Sequence, residues 1–504
     1  MDLNSKTITA EHSQWTRDLQ VLVEGSLSLP EGMTPIQSLL EVSGTNEITE
    51  TALENGKLSL SGVAYFKILY LDAEGGFSGF DAESEFSRTV ELPDAPDEAQ
   101  VLAWGTFSDI SAEQSDPSHI ALHSVIDVDI YHGANAQYSL LDIPADDPGL
   151  HAKQQACRLA TLSCVRAAKT YVQAQVRVPQ SMPAVKRILS ERGYAMLRKV
   201  TVEEGRAAAE GELRIFLIYE SMDKNAPLQT FEETLPFGDV LHDDALRADS
   251  QVFCLANLET LASEIDAQDG DLIRISAAIG LHWIGRAFSE TSVVTDLFDE
   301  RHETQLSHTA LCGCLLSEGT CLKKILRLSA EIPAGSPEVS RILFSSAYPS
   351  ILSAHAEGGV LHLEGAIHLL LCYTTAQAGI HSTALLLPFE TELSYPQALD
   401  GAALFFQSFC EYTLAEGSGR EIELKCCLDL CAWECASQEV SAVSAASLSP
   451  LAEPKPCGIL VYYPDGTESR WDIAKKFKVD PAEIAHAEGD GPLPRGKKLL
   501  LLSR

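Results

Sequence analysis

Three nine-residue segments, Gly62–Tyr70, Gly211–Tyr219 and Gly365–Tyr373, share one pattern, and that repetition constrains the fold more than any other feature of the chain. In each the tyrosine falls eight residues after the glycine, and a proline (Pro30, Pro179, Pro333) stands 32 residues before the glycine. A phenylalanine (Phe86, Phe237, Phe389) follows each tyrosine by 16, 18 and 16 residues. The glycines are 149 and then 154 residues apart, so the body reads as three copies of one domain. Counted from each glycine, the even positions are apolar or aromatic in all three copies: Ala64, Phe66, Ile68, Tyr70; Leu213, Ile215, Leu217, Tyr219; Ile367, Leu369, Leu371, Tyr373. The odd positions mix in Lys67, Glu212, Arg214 and His368. Period two with one constantly apolar face is a half-buried strand. The third copy, with the fewest charges on its odd face, should be covered on both sides. Similar alternation marks Gln20–Leu29, Leu122–Tyr131, Thr170–Pro179, Asp271–Trp283 and Glu421–Trp433 as strands. Short helices are expected after the prolines, at Ile36–Leu40 and Val185–Leu189.

At 504 residues the chain is too long for a single core. Its mean hydropathy of zero and 22 % charged residues exclude a disordered acidic polymer. The longest apolar runs, such as Ile459–Tyr463 and Leu369–Tyr373, are far shorter than the ~18 residues of a membrane span. A formal net charge of −35 argues against nucleic acid and against anionic membrane surfaces as partners. The first residues, Met1 to Lys6, carry no basic-then-apolar signal, so a cytosolic setting and free thiols are expected for the 13 cysteines. The domain reading is 1–150, 151–310 and 311–435 for the three copies. A flexible linker rich in Ala, Ser, Val and Pro is expected over 436–456, and a separate unit over 457–504. That last unit holds 8 Lys+Arg against 7 Asp+Glu, a net of +1 beside −36 for the rest.

The order expected from Ile459 onward is strand, turn, helix, turn, helix, loop, strand. Pro464-Asp465-Gly466 has turn chemistry, Thr467 can cap a helix carrying Trp471, Ile473, Ala474 and Phe477, and Asp480-Pro481-Ala482-Glu483 is a helix start. Through Asp465-Gly466-Thr467, Trp471 to Phe477, Val479, Ile484 and Leu493 to Leu499, this unit resembles a LysM domain. The resemblance implies a small α/β (βααβ) fold. It also implies a binding surface made by Asp465, Gly466, Thr467, Trp471, Lys475, Leu493, Pro494 and Arg495. Family members hold N-acetylglucosamine-containing glycans. Here the turn reads Asp-Gly-Thr where theirs reads Gly-Asp-Thr, and Ala487-Glu488 stand near the place of their helix-ending asparagine. Glycan binding is therefore expected to be weak or absent, with a protein contact centred on Trp471 in its place.

The glycine-to-tyrosine strand, as in Val63–Tyr70, and the later Phe86, Val90, Leu92 and Pro93 resemble the SPOCS domain of spore-coat-associated proteins. Three such domains followed by LysM is the layout of a morphogenetic protein of clostridial spores. The resemblance implies a mainly β chain acting as a non-enzymatic adaptor in the mother-cell cytoplasm, at the forespore surface. Its LysM domain would hold the morphogenetic ATPase at the base of the spore coat, and it would need no cofactor. The alternative is a cell-wall protein using LysM to hold peptidoglycan or chitin oligomers.

Chemistry is sparse. His-Glu-x-x-His, Gly-x-Ser-x-Gly and Gly-x-Gly-x-x-Gly are absent. Gly491 to Lys498 nearly spells a phosphate loop, but Lys498 replaces the hydroxyl residue and the segment leads into a strand rather than a helix. Cys426, Cys427, Cys431 and Cys435 have spacings a structural zinc can use, yet the equivalent strands of the other two copies carry apolar or small residues there. They read as core thiols. His119 and His123, on a strand pattern, read as surface residues. The acidic residues, densest over Asp81–Glu91, read as a solvated face.

Overall fold

The computed structural model describes residues 4–503 apart from 94, 97, 143–148, 224–225, 267–268, 318, 378, 397–401, 452–457 and 485–490. The protein is mainly β. Its first repeat is β1 (Ser5–Ser28), β2 (Ile36–Glu54), β3 (Lys57–Asp72), β4 (Phe77–Glu91), β5 (Gln100–Asp116) and β6 (His119–Leu141). The second is β7 (Leu150–Arg177), β8 (Val185–Glu203), β9 (Arg206–Ser221), β10 (Leu228–His242), β11 (Gln251–Ile265) and β12 (Leu272–Asp299). The third opens with β13 (His302–Leu316) and β14 (Thr320–Glu331), which share the place of one long strand. It continues through β15 (Arg341–Glu357), β16 (Val360–Thr374), β17 (Ile380–Ser394), β18 (Ala403–Ser418) and β19 (Glu421–Pro450). Each repeat has the same two antiparallel sheets. One is a three-stranded meander (β2-β3-β4, β8-β9-β10, β15-β16-β17), and in the other the long last strand lies between the first and the fifth. The two sheets share one core: Val21 and Val23 of β1 and Ile126 and Val128 of β6 pack with Leu58 and Phe66 of β3.

The repeated glycine, tyrosine and phenylalanine have a common physical origin. The central meander strands β3, β9 and β16 follow the alternation, and all twelve even-position side chains after the glycine are at most 1 % exposed. Each tyrosine hydroxyl donates to the carbonyl of a residue 36 positions earlier: Tyr70 to Thr34 (3.1 Å), Tyr219 to Pro183 (3.0 Å) and Tyr373 to Pro337 (3.0 Å). Each acceptor lies four residues past the recurrent proline, in a turn that the proline carbonyl closes by accepting from Met33, Met182 or Ser336. The buried ring thus clamps the turn that leads from the first strand into the meander. Each glycine sits directly opposite its phenylalanine, Gly62 with Phe86, Gly211 with Phe237 and Gly365 with Phe389. A Cβ there would overlap the ring and a neighbouring carbonyl, so the phenylalanine covers the space a side chain would fill.

Two expectations are corrected. Ile36–Leu40 and Val185–Leu189 are not helices; they open β2 and β8. Paired register shifts there (Ile36/Ser38 and Leu39/Glu41; Val185/Arg187 and Ile188/Ser190) are β-bulges, and they break the alternation into a spacing that imitates a helical turn. The stretch read as a linker is, over Ala436–Pro450, the second half of β19; residues 452–457 lie outside the described residues. The third repeat therefore closes at Pro450 rather than 435, and the second at Asp299 rather than 310.

The reason for the small residues of Ala436–Pro450 lies in the long strands. β5, β11 and β18 begin opposite Gly133, Arg286 and Cys435. Beyond those points the first and last strands run on as three two-stranded ribbons. The ribbons converge on Ala10 and Leu140, Cys157, Leu159 and Val293, and Leu311, Val440 and Ala442. Ala442 and Val443 are fully buried, and bulkier residues would hold the ribbons apart. Where the ribbons leave the sandwiches, Trp15 makes ring contacts with Trp104, Tyr131, Phe253 and Phe405, from all three repeats. Beside it Arg286 Nε and Nη2 donate to Glu11 at 2.6 and 2.8 Å, both residues 1 % exposed, and the Tyr131 hydroxyl donates to the same carboxylate. Glu41 accepts from Arg192 across the same junction of the first and second repeats, and Asp429 accepts from Arg198 across that of the second and third. Carboxylates that composition assigns to a solvated face thus include several buried at the joints.

Candidate functional site

The C-terminal tip is built from β20 (Gly458–Tyr462), α1 (Arg470–Phe477), a single 3₁₀ turn at Pro481–Glu483 and β21 (Leu499–Ser503), with β20 and β21 paired antiparallel. Ser469, not Thr467, caps α1. Its hydroxyl accepts from the Asp472 amide, and its own amide donates to the Asp472 carboxylate at 2.8 Å, completing a capping box. Thr467 instead donates its amide and hydroxyl to Asp465, at 2.8 and 2.7 Å, tightening the turn before the helix. The second helix of the βααβ expectation is represented among the described residues by the 3₁₀ turn alone, capped by Asp480, whose side chain accepts from the Ala482 amide. Ala487-Glu488 lie outside the described residues.

The eight residues singled out from the sequence divide into three groups. Leu493 is buried in the tip's core with Ile473, Ala474, Val479, Ile484, Leu499 and Leu501. Asp465, Gly466, Thr467, Pro494 and Arg495 come together on an outer rim. There the Gly496 amide donates to Pro464 and the Leu493 amide to Glu468, drawing the two loops side by side. Gly466 has φ +104°, and a Cβ on it would meet Arg495 Cβ at 3.3 Å, so glycine suits both the turn and the close approach of the second loop. Asp465, Thr467, Pro494 and Arg495 are exposed.

Trp471 and Lys475 face the other way, onto the end of β12. The Trp471 indole N–H donates to Asp296 Oδ2 at 2.7 Å, and Lys475 Nζ reaches Asp296 Oδ1 at 2.6 Å. Phe298 meets the Trp471 ring edge-on at 5.1 Å between centroids and is itself 0 % exposed, a member of the tip's own core. Lys478 adds a bond to the His302 carbonyl (3.1 Å) and an ion pair with Glu303 (3.3 Å). A register shift in the β7–β12 ladder between Val294 and Asp296 re-aims the strand just before the contact. Burial would raise the Asp296 pKa, but the bonds from Lys475 and Trp471 outweigh it and hold the carboxyl below its ordinary value. The tip is therefore seated where the second repeat ends and the third begins. Asp296, Phe298 and Glu303 escape any reading of the sequence, because nothing local marks a strand end as a dock for a segment some 175 residues away.

The remaining candidates resolve as structure. His119 bonds Asp116 at 2.8 Å and His123 bonds Glu24 at 3.3 Å, both pairs on the surface. Cys426, Cys427 and Cys431 are buried thiols of β19, and among the described residues no three His, Cys, Asp or Glu side chains converge as a metal site. Cys435 is disulfide-bonded, which corrects the expectation that every cysteine is free. Among the described residues no helix is long and apolar enough to cross a membrane.

Residues 35–115 and 184–266 match the family described as SipL, SPOCS domain. The two matches span β2–β5 and β8–β11, the meander plus fifth strand of the first and second repeats. They support similarity to SipL and a sporulation-related role. No curated protein and no solved structure matches the chain.

Proposed function

We propose that the chain is a non-enzymatic adaptor of spore-coat assembly, in which the repeats form a platform and the tip holds a protein partner. The observation that carries this reading is the SPOCS match at two repeats. The third repeat has the same glycine, tyrosine and phenylalanine and the same tyrosine clamp, so it serves as a third SPOCS domain. The tip serves as a LysM domain. Its partner is the morphogenetic ATPase at the base of the coat, and its place of work is the mother-cell cytoplasm at the forespore surface. The buried Glu11, Glu41 and Asp429 each face an arginine at a repeat junction, a structural use of carboxylates rather than acid–base chemistry.

The ATPase contact falls on the rim of Asp465, Gly466, Thr467, Pro494 and Arg495, because Trp471 and Lys475 are occupied by Asp296. In the full chain, Thr467→Arg combined with Arg495→Glu should lower affinity for the immobilised ATPase at least tenfold. Unchanged affinity would overturn the rim contact. Micromolar binding of chitin oligomers by the unmodified chain would favour the cell-wall alternative.

A further inference from the structure

Cys321 and Cys431 stand directly opposite each other in the antiparallel β14–β19 ladder. Facing residues in such a ladder have Cα atoms about 4.5–5.5 Å apart, inside the range a disulfide spans. The two thiols differ in access: Cys321 is exposed and Cys431 is buried. A cation completes the arrangement. The Arg198 guanidinium, held by Asp429 at 3.1 and 2.6 Å and by Glu212 at 2.9 Å, supplies a positive charge that favours the Cys321 thiolate. Cys321 Sγ lies 3.7 Å from the Leu197 carbonyl oxygen of β8, so the thiol is lodged against the second repeat.

We propose that Cys321 and Cys431 are a redox pair, in which Cys321 is oxidised by hydroperoxide and Cys431 resolves it to a cross-strand disulfide. An exposed thiol beside a guanidinium, with a second thiol in register behind it, is the arrangement such chemistry requires. Interaction with the Cys431 thiol, aided by the Arg198 charge against the effect of burial, brings Cys321 down to about 6, while Cys321 and burial push Cys431 up. The exposed sulfur is thus the thiolate and the buried one keeps its proton. In the first step the Cys321 thiolate attacks a peroxide oxygen and the O–O bond breaks. The departing hydroxide takes up a proton to become water, and Cys321 becomes a sulfenic acid. In the second, Cys431 sulfur attacks Cys321 sulfur, the S–O bond breaks, and the hydroxyl leaves as water with the Cys431 proton. Two thiols lose two electrons, and one peroxide becomes two waters. Cys410 and Cys426 also influence each other, but both are buried, so neither offers an attacking thiolate to solvent.

The full chain should be treated with equimolar hydrogen peroxide at neutral pH, alkylated and mapped by mass spectrometry. A Cys321–Cys431 linkage is expected. Cys431→Ser should leave a sulfenic acid on Cys321 that a 1,3-diketone traps, and Cys321→Ala should leave Cys431 reduced. In untreated protein, Cys321 should be alkylated by iodoacetamide roughly two- to threefold faster at pH 7 than an ordinary exposed thiol, with a midpoint near pH 6. The pair is ruled out if Cys321 reacts at the ordinary rate with a midpoint near 8.5, or if peroxide consumes other thiols while Cys321 and Cys431 stay reduced.

Discussion

The joints between the repeats and the joint between body and tip are made differently. Repeats meet through aromatic clusters and ion pairs, such as half-buried Trp15 among four rings and fully buried Glu11 with Arg286. The tip meets the body through two carboxylates at or near the surface, one body ring and two lysines. Contacts drawn into the interior from several strands make the three sandwiches one unit, whereas a contact at the solvent boundary can seat a module and still release it.

The largest effect expected from breaking this comparison comes at Glu11. Glu11→Ala leaves Arg286 buried without its charge partner, a change that costs about 3–5 kcal/mol in such pairs. Denaturant unfolding of the full chain should show that loss in the whole body. A loss confined to the first repeat would mean that the repeats are independent. A second effect is a pH dependence. His282, buried beside Trp104 with Nε2 at 2.9 Å from Asn257 Oδ1, has its pKa pushed by burial from 6.5 down to about 4. The unfolded chain binds the proton first as pH falls, so the stability held above pH 6.5 is lost progressively toward pH 4. At about 1.4 kcal/mol per pKa unit the loss is roughly 3 kcal/mol, and His282→Gln should remove that part of the slope.

A smaller effect tests whether the repeats are equivalent. Tyr70→Phe, Tyr219→Phe and Tyr373→Phe each remove one hydroxyl from the same turn carbonyl, and each should cost about 1 kcal/mol. Unequal losses would show that the third repeat, whose first strand is split into β13 and β14, uses its clamp differently. Smallest of all, Lys475→Met should change global stability by no more than about 1 kcal/mol, as for other half-exposed ion pairs.

How much was legible follows from where information is local. The repeat, the alternating central strand and the tip's first helix could be read because their signals recur or sit within a few residues. The bulges at Ile36 and Val185 misled because a bulge and a helical turn produce the same short apolar spacing. Ala436–Pro450 misled because small residues mark both a loose linker and a tightly packed ribbon, and only the facing ribbons decide between them. Grouping Trp471 with Thr467 and Arg495 placed them on one surface, yet the helix turns Trp471 toward Asp296 while the loops form the rim.

The seating of the tip on Asp296 is tested most directly by 19F NMR of the full chain labelled with 5-fluorotryptophan. It has five indole signals, from Trp15, Trp104, Trp283, Trp433 and Trp471, with the last assigned by Trp471→Phe. Asp296→Ala should shift the Trp471 signal toward the solvent-exposed value and leave the other four in place. If the Trp471 signal does not move, the tip is not held by Asp296, and the division between a free rim and an occupied face fails with it.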